Sequence, residues 1–188
     1  MRGILLAIAL ACSALPASAA SVQETMAPCL ACHGDKGQSQ TPNVPSLGGQ
    51  KEQYALIQLV SFRDKLRIAA PMNDMAKPLS DDDLRAISAA IAKLPPPAPS
   101  TEPADPARMA RAQAIIQQNR CNFCHTANFA GQDAVPHIAD QREDYLVKTL
   151  REYKSGVRRG YDPSMADVVQ PLTDAQILDL AYYLARYR

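Results

Sequence analysis

The sequence predicts an all-α protein of two tandem domains joined by a proline-rich linker, and three observations carry that expectation. One pattern occurs twice. "VPSLGGQKEQYALIQLVSF" (44–62) aligns with "VPHIADQREDYLVKTLREY" (135–153), and "MNDMAKPLSDDDLRAISAAIAKL" (72–94) with "MADVVQPLTDAQILDLAYYLARY" (165–187), at offsets of 91 and 93 residues. A repeat of this length marks a duplicated folding unit, and the small change in offset marks a loop of different length. Apolar residues within the copies recur at helical spacing, while strand alternation is weak throughout. Between the copies, "PPPAPSTEPADPA" (95–107) carries only Glu102 and Asp105 as charges and reads as an extended, exposed linker.

The elements follow in order. Residues 1–20, "MRGILLAIALACSALPASAA", have a basic Arg2, an apolar run from Ile4 to about Ala11 and the small residues Ala17-Ser18-Ala19. That is the three-part plan of a cleaved export signal, too short to span a membrane. Its removal takes Cys12 away and leaves four cysteines. The first domain is then 21–94 and the second 108–188. Only eight or nine residues precede Cys29, so the first N-terminal helix must be short, whereas "PARMARAQAIIQQNR" (106–120) provides a full one for the second domain. A middle helix follows Gln50 and Gln141, with Tyr54, Leu59 and Phe62 matched by Tyr145, Leu150 and Tyr153. In the last helix of each copy, Leu84, Ile87, Ile91 and Leu94 correspond to Ile177, Leu180, Leu184 and Tyr187. Ser80 with Asp83, and Thr173 with Gln176, have the spacing of capping boxes that start these helices.

Composition bounds the function. The 188-residue chain is 47% hydrophobic and 21% charged, which is ordinary for a globular protein. With 20 basic and 19 acidic residues it has no charge field suited to nucleic acid. Aromatic residues make up 5% and tryptophan is absent, so two domains of this size would have thin cores unless something large and apolar were buried in them.

The chemistry lies in "CLACH" (29–33) and "CNFCH" (121–125), which place two of the three histidines directly behind a Cys-x-x-Cys pair. Thiols two residues apart, Cys29 with Cys32 and Cys121 with Cys124, can add to the two vinyl groups of a haem, and the next residue, His33 or His125, then stands under the iron. Two other uses of the motif fit less well. Zinc needs four ligands per site, and two pairs in different repeats do not build a zinc ribbon. A thioredoxin-like dithiol needs a βαβ pattern that is missing. The expected cofactors are two haem c groups.

A sixth ligand follows from the repeat. Met72 stands seven residues before Leu79 and Met165 seven before Leu172, whereas Met75 falls opposite Val168. Thioether sulfur favours ferrous iron, raises the potential and closes the iron to substrates, which suits electron carriage. His137 has Ser46 opposite it and is expected at the surface. Arg151, Lys154, Arg158 and Arg159 form a basic run expected to be solvated or to neutralise haem propionates, in preference to serving as a docking patch.

With "CLACHGDKGQS", "PSLGGQKEQY" and "KPLSDDDL" the chain resembles the two-haem class I cytochromes c of the cytochrome c4 type over nearly all of the mature sequence. In that resemblance the carbonyls of Pro45 and Pro136 accept the N–H of His33 and His125. It also implies a periplasmic electron carrier, not an enzyme. Expected partners are a terminal oxidase, a quinol–cytochrome c reductase or a dehydrogenase, with peripheral membrane association left open. The alternative is the haem-bearing, electron-accepting subunit of a dehydrogenase, such as a sulfide-oxidising flavocytochrome. Two departures stand out: Thr126 where the first copy has Gly34, and "IADQ" where it has "LGGQ".

Overall fold

Ser80 and Thr173 each accept a hydrogen bond from the backbone N–H three residues on, while Asp83 and Gln176 reach back to the cap residue's own N–H. These boxes start two helices whose buried stripes form the centre of two domains. The computed structural model describes residues 22–159 and 162–187; the export signal expected at 1–20 lies outside them. The first domain comprises α1 (Val22–His33), a 3-10 turn (Asp35–Gly37), α2 (Glu52–Arg63), α3 (Ala70–Ala76) and α4 (Asp81–Ile91). The second comprises α5 (Pro106–Gln118), α6 (Cys121–His125), α7 (Glu143–Lys154), α8 (Ser164–Val169) and α9 (Asp174–Leu184). Among the described residues there is no strand, only an isolated bridge between Gln132 and Val135.

In the first domain α4 packs on α1 and α2, burying Leu84, Ile87 and Ile91 against Met26, Ala55 and Leu59. In the second α9 packs on α5 and α7, burying Ile177, Leu180 and Leu184 against Ile115, Ile116, Leu146 and Leu150. Phe129 adds edge-to-face contacts with Tyr183 and Tyr187, at centroid separations of 6.2 and 5.0 Å. Asp179 of α9 takes hydrogen bonds from Arg108 and Arg111 of α5, tying those helices by charge as well as by burial.

The N-terminal helices differ between copies. In the first domain α1 runs without a break through the Cys-x-x-Cys-His segment, although Pro28 lies inside it. In the second, Arg120 adopts a left-handed conformation at φ 53°, separating α5 from α6. The linker is more attached than its composition implied. Pro97 is buried, Ala98 N–H donates to Gln38, Glu102 pairs with Arg186, and Asp105 N–H donates to the Tyr182 hydroxyl. Helix α5 begins at Pro106, whose fixed φ and missing N–H suit a first helical position.

Candidate functional site

Each Cys-x-x-Cys-His segment is helical, so its two thiols and its histidine stand on one short stretch of rigid backbone. Cys29 and Cys121 are half-buried, and burial raises their thiol pKa; Cys32 and Cys124 are exposed, and all four are unpaired. His33 and His125 are buried, and burial lowers their pKa, favouring the neutral imidazole that binds a metal. Each ring donates through Nδ1 to a proline carbonyl, His33 to Pro45 at 2.8 Å and His125 to Pro136 at 3.1 Å. That bond selects the tautomer and leaves Nε2 as the nitrogen free to ligate.

Met72 and Met165 are half-buried and packed against the cores of their own domains, whereas Met75 is 44% exposed and Val168 opposite it 37%. Sequence reasoning missed Asn73, next to Met72. Its buried amide donates to Phe62 O and Arg67 O and accepts from Ala69 N–H, pinning the turn that presents Met72. Leu66 and Ile68 after α2, and Val157 after α7, are each at least 70% exposed. Apolar side chains left bare at matching places in both copies suit domains that bury a large apolar group.

His137 overturns the expectation of a surface residue. It is 8% exposed, and burial lowers its pKa. Its backbone is gripped by Gln50 of the first domain, which donates to His137 O at 2.7 Å and accepts from His137 N–H at 3.2 Å. Reciprocally, Gln141 of the second domain accepts from Ser46 N–H at 2.8 Å and donates to Ser46 O at 2.9 Å. No single-domain pattern could show this, because each partner lies in the other copy.

The basic run resolves into separate roles. Arg151 pairs with Asp174, and Lys154 donates to Gln170 O. Arg158 turns inward, 4% exposed, and donates to Tyr54 of the first domain and to Tyr145 and Thr149 of its own, while Arg67 reaches Tyr145 from the first domain. Burial opposes the Arg158 charge, but the oxygens of Tyr54, Tyr145 and Tyr153 outweigh it and its pKa rises. Burial alone would raise the Tyr145 phenol, yet Arg158 and Arg67 pull it down to about 7. Tyrosine oxygens thus hold both guanidiniums at the boundary between the domains.

Among the described residues no helix is long and apolar enough to cross a membrane. The cytochrome c family profile matches residues 19–95 and again 109–187. The chain is 31% identical to cytochrome c4 of Pseudomonas aeruginosa over 88% of its length and 87% of that protein's. It is 34% identical to a thiosulfate dehydrogenase electron acceptor of Thiomonas intermedia, over 92% and 84%. The crystal structure of reduced recombinant cytochrome c4 from Pseudomonas stutzeri superposes with a TM-score of 0.79 at 30% identity, covering 88% of this chain and 96% of that one. Duplicated thiol–histidine helices, matched methionines and these likenesses agree: the chain belongs to the cytochrome c family, as a two-domain electron carrier of the c4 kind whose domains bind haem c.

Proposed function

We propose that His33 and Met72 ligate the iron of the first haem and His125 and Met165 that of the second. Cys29 with Cys32, and Cys121 with Cys124, are the thioether anchors. The observation that carries this reading is the pair of buried imidazoles, each behind two unpaired thiols and each donating Nδ1–H to a proline carbonyl. Haem c, when bound, supplies a one-electron ferric/ferrous couple. The residues around it set how that couple behaves. The Pro45 and Pro136 carbonyls fix the imidazole planes and raise ring basicity, Met72 and Met165 exclude water and substrates from the iron, and the half-buried Arg67 and buried Arg158 offer positive charge to haem carboxylates.

The carrier works in the periplasm. That placement is supported by the export signal read at 1–20 and by covalent haem attachment, which follows export. It takes electrons from a dehydrogenase or a quinol–cytochrome c reductase and passes them to a terminal oxidase. The relative named as a thiosulfate dehydrogenase electron acceptor favours a dehydrogenase as donor. A solved thiosulfate dehydrogenase from Marichromatium purpuratum is also similar, with a TM-score of 0.73 at 26% identity over 84% of this chain, which spans 36% of that one.

Maturation in a host competent for haem attachment tests the site. The full chain should carry two haems that acid–acetone does not extract, and replacing Cys29 and Cys32 together by Ser should leave one. Complete extraction of haem from the unaltered protein would refute covalent attachment. Co-purification of a stoichiometric flavoprotein would favour the subunit reading over a free carrier.

A further inference from the structure

We propose that Gln50 and Gln141 are crossed positioning residues: each is supplied by one domain and sets the hydrogen bond of the axial histidine in the other. The inference rests on the reading of His33 and His125 as iron ligands. It starts from a property of the peptide unit. Pro45 C=O and Ser46 N–H belong to one planar group, as do Pro136 C=O and His137 N–H. The carbonyl of each group accepts from an axial histidine of its own domain, and the N–H of the same group donates to a glutamine of the other domain.

Two consequences follow. Each carboxamide uses both its donor and its acceptor on one residue's backbone, so it bridges two successive peptide groups and holds in place the one that carries the proline carbonyl. A hydrogen bond accepted from the peptide N–H also polarises the carbonyl at the other end, making it a better acceptor for the imidazole. The distances run in that sense. The shorter glutamine contact, 2.8 Å to Ser46 N–H, goes with the shorter histidine contact, 2.8 Å to Pro45. The longer one, 3.2 Å to His137 N–H, goes with 3.1 Å to Pro136. Gln141 is 2% exposed and Gln50 8%, so neither amide has water as a substitute partner.

A stronger bond from the imidazole N–H makes the ring more electron-rich and favours ferric iron. Removing a clamp should therefore raise one haem's potential, and the haem affected is in the opposite domain. Gln141→Leu should raise the potential of the haem on His33 and leave the other unchanged; Gln50→Leu should raise that of the haem on His125. Each potential is followed separately in the full two-haem protein through its NMR-resolved ring-methyl resonances during redox titration. Amide exchange provides a readout independent of the haem: Ser46 N–H should lose protection in the first variant and His137 N–H in the second.

Asp144→Ala serves as the comparison, since it removes the interdomain bond from Asn43 N–H without touching either clamped peptide, and should move neither potential. Crossed shifts with the matching loss of amide protection support the proposal. A shift in the same domain's haem, equal shifts of both haems in all three variants, or lost protection with no shift overturns it. If the unaltered protein shows no pair of His/Met haem potentials, the ligand reading itself has failed and this inference falls with it.

Discussion

Thr126 and Gly34 follow His125 and His33, and both adopt a backbone conformation that favours glycine. Gly34 has φ 82° and ψ 153°, and a Cβ there would lie 2.1 Å from Gln38 O. Thr126 has φ 69° and ψ 164°, a strained region for a β-branched residue, and its hydroxyl lies within hydrogen-bond reach of two acceptors, His125 O and Asn128 Oδ1, for its single proton. Thr126→Gly should stabilise the second domain by about 1 kcal/mol in urea unfolding, the relieved strain exceeding the lost hydroxyl contacts. Gly34→Ala should destabilise the first domain, because the added methyl meets backbone. The methionines offer a second test at this scale. Met72→Ala should abolish the methionine-to-ferric-iron charge-transfer band of one haem and lower its potential, since water or hydroxide replaces soft sulfur. Met75→Ala, at a 44% exposed position, should keep the band and leave stability nearly unchanged. Loss of the band in the Met75 variant alone would show that the register chose the wrong methionine. That register was legible because both copies carry a methionine at one offset. The burial of His137 was not, because Ser46, its counterpart, has no ring to hide, and the glutamine that covers His137 is 87 residues away.

Helices were legible where local signals agree. The capping boxes at Ser80 and Thr173 and the apolar spacing of α4 and α9 are short-range patterns, and both helices start where those patterns place them. Less legible was how charge ties one helix to another. Asp179, on the inner face of α9, corresponds to Ala86 in the first copy, and nothing in its neighbourhood in sequence announces that Arg108 and Arg111 lie across from it. The hydrogen bond from Arg111, with that from Arg108, holds the Asp179 carboxyl below its usual range. Its anion is therefore favoured in the folded state. The stabilisation is complete above the unfolded value, near pH 4, and is lost as pH falls through the lowered folded value. Asp179→Asn should cost about 2 kcal/mol at neutral pH, because two guanidiniums lose a charged acceptor. It should also flatten the acid limb of second-domain unfolding measured by urea titration at a series of pH values. An acid limb as steep as that of the unaltered protein would mean that other carboxylates dominate it.

At the scale of the whole molecule, the proline-rich stretch and the domain interface make opposite demands on a protease. Residues 101–103 of the linker are exposed, and exposed chain of this composition is where nicking concentrates. Both flanks are held, however, by Pro97 and the Ala98–Gln38 bond on one side and by the Asp105–Tyr182 bond on the other. The domains also meet without the linker, through the two glutamine clamps, Asn43 N–H to Asp144, Arg142 to Ser39 O, and the Arg67, Arg158 and tyrosine group. Several of these bonds are buried, so water does not replace them when the chain is cut. Limited proteolysis should therefore cleave between Ala98 and Asp105, and the two haem-bearing fragments should elute together at the size of the intact protein under native conditions. Separation should require denaturant, or loss of the clamps through Gln50→Leu and Gln141→Leu combined. Fragments that part at once in dilute buffer would mean that the covalent linker, and not the interface, keeps the two domains at their working distance.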